Sequence, residues 1–187
     1  MIGFFRTKTR SYRALRSALD EAESRLPDLI QSVAPHLSQI PVRLSVIDQV
    51  ALDAWQEQWV PLHRPSMPGR FPWDKDRQSL EKTPERFEVA IWSGSSLCGL
   101  GLGKPSEKKT ILWFNLLEGS PLALHPLKGA IRFIAIDAAF AYAETLGAAE
   151  LRLVEPDPGV IACYQEMGFS LDGMGGKPPY CAKRVKS

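Results

Sequence analysis

The sequence predicts a single α/β domain, and three observations carry that expectation. Apolar residues recur in steps of three and four near the N-terminus, at Tyr12, Leu15, Leu19, Ala22, Leu26, Leu29 and Val33. Two alternating runs, residues 87–92 and 97–102, flank the turn-forming Ser93-Gly94-Ser95-Ser96. A long alanine-rich helical pattern, residues 129–146, is followed by a strand pattern at residues 150–154, an order that calls for a right-handed parallel crossover.

A chain of 187 residues with 44% apolar and 24% charged side chains can bury a core without metals or disulfides. Its 23 basic and 21 acidic residues leave a net charge of +2, a balance that does not point to a nucleic-acid partner. The bases Lys183, Arg184 and Lys186 read as a solvated end. Cys98, Cys163 and Cys181 lack paired spacing, as expected of reduced thiols, and His36, His63 and His125 are too scattered to suggest a metal site. Neither a secretory leader nor a membrane-length apolar run is read, so a cytoplasmic location is expected by elimination.

In chain order, the first helix is expected over residues 9–33, kinked or restarted at Pro27 and ended by Pro35 and Pro41. Its stripe suits packing against the domain, and the same pattern also suits a homodimer face. Residues 42–47 alternate as a strand, and Asp48 offers an N-cap for a helix to about residue 58. Residues 61–84, rich in Pro, Arg and aromatics, read as a long ordered loop with a short helix near residues 74–81, and residues 64–73 of it as the wall of an acceptor pocket.

The two runs around the Gly94 turn and a third at residues 110–117 make an antiparallel meander. Gly99, Gly101 and Gly103 alternate along its middle strand, where a missing side chain lets a neighbour approach. After the crossover, Asp157 and Pro158 have the chemistry of an N-cap and first helical residue, and Gly168 closes that helix. Strands at residues 169–171 and 180–185 complete the chain.

The stretch ELRLVEPDPGVIACYQEMGFSL, residues 150–171, resembles the C-terminal half of the GNAT superfamily of N-acetyltransferases. In that family a strand leads to an Asn, a tyrosine follows seven residues later on a helix, and the helix ends in Gly-Phe. Asp157, Tyr164, Gly168 and Phe169 stand at those positions. Upstream, HPLKGAIRFIAIDAAFAYAETLGA is similar to the family's cofactor segment.

The resemblance implies a mixed, mostly antiparallel central sheet with helices on both faces, spanning residues 42–187, with residues 1–41 as an extra helical extension. It implies transfer of an acyl group, with acetyl-coenzyme A as donor, to a primary amine of a small molecule or protein. It assigns cofactor binding to Leu124, Lys128, Gly129, Ala130, Ile131, Arg132, Asp157 and Tyr164. The family's loop usually reads Gln or Arg, two residues, Gly, one residue, then Gly or Ala. Here Leu127-Lys128-Gly129-Ala130-Ile131-Arg132 replaces the first polar residue and both glycines, with Gly129 one step out of place.

Backbone amides at a helix N-terminus can still hold a diphosphate, with Lys128 and Arg132 adding charge. For the chemistry, Tyr164 corresponds to the family's proton donor to the departing thiolate. A base is sought in Glu118, at the end of the third meander strand, then in His125 and Glu88, with ordered water as a further option. The alternative is a binding module that keeps the fold and has lost catalysis.

Overall fold

The computed structural model describes residues 2–63, 70–173 and 178–185. Expectations placed on residues 64–69 and on Lys186 lie outside the described residues. Among those described, the strands are β1 (Arg43–Ser45), β2 (Phe87–Ser93), β3 (Ser96–Pro105), β4 (Ile111–Gly119), β5 (Glu150–Val154), β6 (Ser170–Asp172) and β7 (Tyr180–Arg184). The α-helices are α1 (Ile2–Val33), α2 (Gln49–Gln58), α3 (Trp73–Ser79), α4 (Ile131–Leu146) and α5 (Ile161–Glu166).

The strands form one sheet in the order β1-β2-β3-β4-β5-β7-β6. The pair β4 and β5, joined through α4, runs parallel, and the other neighbours run antiparallel. The meander and the crossover are therefore as expected. Strand alternation sorts the core into two layers. Phe87, Val89, Ile91, Leu112, Phe114, Leu151 and Leu153 join the layer under α1 and α4, whereas Ala90, Trp92, Leu97, Leu100 and Leu102 pack beneath α2 and α3.

The first helix departs from expectation, running through Pro27 as one element. Pro27 is exposed and gives up one helical donor, a cost of about 3 kcal/mol, while buried Leu26 and Ile30 hold both flanking turns against the core. Arg25 also pairs with Asp137 of α4 at 3.3 Å, and Glu23 accepts the Leu44 amide at 2.7 Å, tying α1 to β1. Thus α1 shares a core with the sheet: Leu15, Leu19, Ala22, Leu26 and Ile30 are buried in the same layer as α4.

Local signals work as their chemistry requires. Asp48 caps α2 by accepting the Ala51 amide at 3.0 Å, and Gly147 closes α4 in the left-handed region at φ 69°. The alternating glycines of β3 face the α4 layer. A Cβ on Gly99 would lie 2.7 Å from Ile131 Cγ2, so its absence lets the first turn of α4 settle on the sheet.

Candidate active site

The site arises where β4 and β5 part. Their parallel register ends at Phe114 opposite Leu153. Beyond that point β4 keeps only its β3 partner, while β5 stays with β7, so the sheet opens into a cleft. A bulge drives the divergence: Leu102 faces Leu116 and Gly103 faces Phe114, leaving Asn115 as the extra residue on β4. The Asn115 side-chain oxygen is buried without a hydrogen-bond partner among the described residues. On the other wall β5 ends in Glu155, held at φ 46°, an uncommon conformation for a side chain larger than glycine. Its amide donates to the Pro179 carbonyl at 2.9 Å.

The cleft has two joined lobes. One, of about 580 Å³, is walled by Phe71, Phe114, Asn115 and Leu153 and closed by Glu155, Asp157 and Tyr164. The other, of about 300 Å³, lies between Gly119, His125, Gly129, Ile131 and Arg132. Leu117, Val160 and Tyr164 line both.

The second lobe ends at the start of α4. No side chain caps this helix, because Ala130 stands at the N-cap. The amides of Gly129, Ile131 and Arg132 have no backbone acceptor among the described residues. Gly129 takes φ 92°, a conformation that glycine adopts without strain, and its Cα faces open space. Arg132 Nε is buried with no hydrogen-bond partner, and the guanidinium lies 5.4 Å from the centre of the Phe133 ring. Free amides and an unpaired guanidinium thus converge on one lobe, a combination suited to an anion.

Of the other expected cofactor residues, Asp157 lines the larger lobe while capping the following turn through the Gly159 amide at 2.7 Å. Ala130 is buried beneath the lobe rather than lining it. Leu124 is 95% exposed and lines neither lobe. Lys128 is exposed and donates to the Ala123 carbonyl at 2.8 Å, so it braces its own loop.

Tyr164, on α5, is buried at the junction of the lobes, and its hydroxyl has no protein hydrogen-bond partner among the described residues. Burial pushes the hydroxyl above the ordinary tyrosine range, with Arg132 pulling partly back, so it stays protonated at neutral pH. His125 is buried with Nδ1 unpartnered; burial, then nearby Lys128, lowers its pKa and keeps the ring neutral.

The remaining base candidates are both engaged. Glu88 is held by Arg86 at 2.9 Å and Arg77 at 3.2 Å, on the sheet face away from α4. Glu118 is buried near the end of β4 and lines neither lobe, and its carboxylate accepts three bonds: from the Arg70 amide at 2.8 Å, the Phe71 amide at 3.3 Å and Trp73 Nε1 at 2.6 Å. Such bonding makes it an anchor for the segment that carries Phe71 to the cleft. Replacing Glu118 by leucine strands those donors and is expected to cost about 3 kcal/mol, lowering the thermal midpoint by about 10 °C. A midpoint within about 2 °C of the parent would contradict that anchoring role.

Sequence reasoning had passed over Asn115 and Leu117, whose importance comes from a bulge that no residue type announces. It had also given no role to His63, which the structure brings within 3.6 Å of Glu118.

No family model and no curated protein sequence matches the chain. Solved structures do. Ard1 from Thermoplasma volcanium is similar with a TM-score of 0.58 at 12% identity, covering 78% of this chain and 99% of that one. The ribosomal-protein-S18-alanine N-acetyltransferase from Escherichia coli is similar at 0.56 and 11% identity, over 78% of this chain and 95% of its own. PaiA N-acetyltransferase from Thermoplasma acidophilum, solved in complex with coenzyme A, is similar at 0.52 and 15% identity, over 76% of this chain and 98% of its own. The strand order, the parted β4 and β5 and these likenesses agree: the chain has the fold of the GNAT N-acetyltransferases.

Proposed function

We propose that the chain is an acyl-coenzyme A-dependent N-acyltransferase, with acetyl-coenzyme A as donor and a primary amine as acceptor. The observation that carries this reading is the cleft between β4 and β5, which joins the uncapped start of α4 to the buried Tyr164. The residues present fit the donor. The Gly129, Ile131 and Arg132 amides and the unpartnered Arg132 Nε provide for a diphosphate, although the family's glycines are missing. Phe114, Leu117 and Leu153 give the adjoining channel an apolar wall.

When bound, acetyl-coenzyme A supplies the acyl group as a thioester. Tyr164 holds a proton at its hydroxyl for the departing sulfur. Solved relatives of this fold in complex with coenzyme A support the same reading.

Calorimetric titration with acetyl-coenzyme A tests it. The parent is expected to bind, and Arg132→Glu to weaken binding at least about tenfold by turning an attraction into a repulsion. Absence of heat from the parent up to millimolar ligand would sink the proposal.

A second reading, a module that binds coenzyme A without turnover, is favoured by the engaged carboxylate of Glu118. It predicts binding equal to the first reading and no acetyl transfer to any amine.

A further inference from the structure

His125 sits in the loop between β4 and α4, where its amide donates to the Leu122 carbonyl at 3.4 Å and its carbonyl accepts the Lys128 amide at 3.2 Å. These bonds fix the backbone on both sides of the ring. The side chain is only 8% exposed, yet it walls the smaller lobe together with Gly129, Ile131 and Arg132. Neither ring nitrogen has a hydrogen-bond partner among the described residues: Nδ1 is fully buried, whereas Nε2 keeps accessible surface. A neutral imidazole carries one N–H and one lone pair, and a ring held this deep with both unused calls for a polar group from outside the protein.

The charges around the ring are positive on every side that carries one. Lys128 acts on it from the same loop, and α4 brings Arg132 to the lobe; β4 contributes only Leu117 and Gly119, and the α5 side only Val160 and the protonated Tyr164. No carboxylate lines this lobe among the described residues. Burial, then Lys128, therefore holds the ring neutral. An anion seated against the free amides of Gly129, Ile131 and Arg132 reverses that field and favours the charged ring, whose two N–H groups both donate.

We infer that His125 is a contact of the donor's diphosphate and takes up a proton from solvent as that anion docks, so that the chain binds its donor more tightly in acid; the inference rests on the acyltransferase reading above. The residue expected as a base thus serves the donor site. The sign follows from the two states. The unbound ring titrates below the ordinary histidine range and the bound ring higher, so affinity rises as pH falls between the two values and is flat above both.

Dephospho-coenzyme A is the probe, because its diphosphate diester keeps a constant charge from about pH 5 to about pH 8, the interval in which histidine titrates. Calorimetric titrations at each pH, in two buffers of different ionisation heat, measure affinity and count the protons exchanged on binding. The parent is expected to tighten at least about fivefold from about pH 8 to about pH 5.5 and to take up protons over that interval. His125→Gln keeps a hydrogen-bonding side chain that cannot ionise, and it should lose both the uptake and the acid gain. The double variant His36→Gln/His63→Gln should keep both.

Uptake that survives in His125→Gln, or that disappears in the double variant, would overturn the assignment; should His125→Gln not fold, the double variant decides. A parent that binds dephospho-coenzyme A with a flat affinity and no uptake refutes the role of His125 while leaving the donor site standing. Binding of acetyl-coenzyme A without binding of the probe places the affinity on the ribose phosphate and refutes that role as well. A parent that binds neither molecule at any pH refutes both readings.

Discussion

Replacing Tyr164 by phenylalanine is expected to lower kcat for acetyl transfer by about 100-fold while leaving acetyl-coenzyme A affinity within about twofold. The change keeps the ring, so α5 retains its packing on Phe169, where the ring centres lie 6.2 Å apart. Only the hydroxyl is lost. Because burial raises its pKa, the hydroxyl stays protonated over the whole neutral range. The alkaline limb of the parent's kcat profile should accordingly lie above the ordinary tyrosine range and vanish in the variant. Steady-state kinetics with matched calorimetry measures both quantities. An equal fall in affinity would assign Tyr164 to binding, and an unchanged kcat would remove it from the chemistry.

The largest loss of stability is expected from Gly103→Ala, although it adds only one methyl group. Gly103 sits at the bulge, opposite Phe114, and a Cβ there would press well inside contact distance of the Trp113 carbonyl oxygen. It would also lie 3.2 Å from Phe114 Cα. Both neighbours are backbone and cannot rotate away, so β3 and β4 must separate. A cost of about 4 kcal/mol and a fall in thermal midpoint of about 10 °C or more are expected. The same bulge parts β4 from β5, so residual folded protein should also bind acetyl-coenzyme A less tightly. Gly94→Ala makes a useful contrast, because nothing lies within 4 Å of its would-be Cβ and only the backbone strain of φ 58° applies.

These two positions also mark what the sequence could and could not reveal. Tyr164 was singled out through the resemblance to the GNAT family, on the order Asp157, Tyr164, Gly168 and Phe169, and the structure places it where the two lobes meet. The meander and crossover were legible in local features: a tight Gly94 turn, period-two strands and an alanine-rich helix stopped by Gly147. Long-range consequences were not. Pro27 reads as a break, yet burial of Leu26 and Ile30 on either side outweighs its local cost. The Asn115 bulge depends on register between β3 and β4, and neither strand contains a residue type that requires it. Glu118 was expected at the open end of β4 as a base, but its carboxylate is taken up by three donors from residues 70–73, more than forty positions earlier, and no periodicity connects the two segments. His63 was hidden for the same reason. Lys128 and Leu124 sit in a segment whose order matched the family's, but the loop turns the first onto its own backbone and the second outward.

The central claim is that the start of α4 and the parted strands together hold the donor's diphosphate and its arm. The most direct measurement is backbone amide NMR of the parent during titration with coenzyme A. The account predicts shifts concentrated at Gly129, Ile131, Arg132 and Leu117, with Arg132→Glu abolishing them at the same ligand concentration. Shifts confined to α1 or to the β1 edge, or none at millimolar ligand, would contradict it.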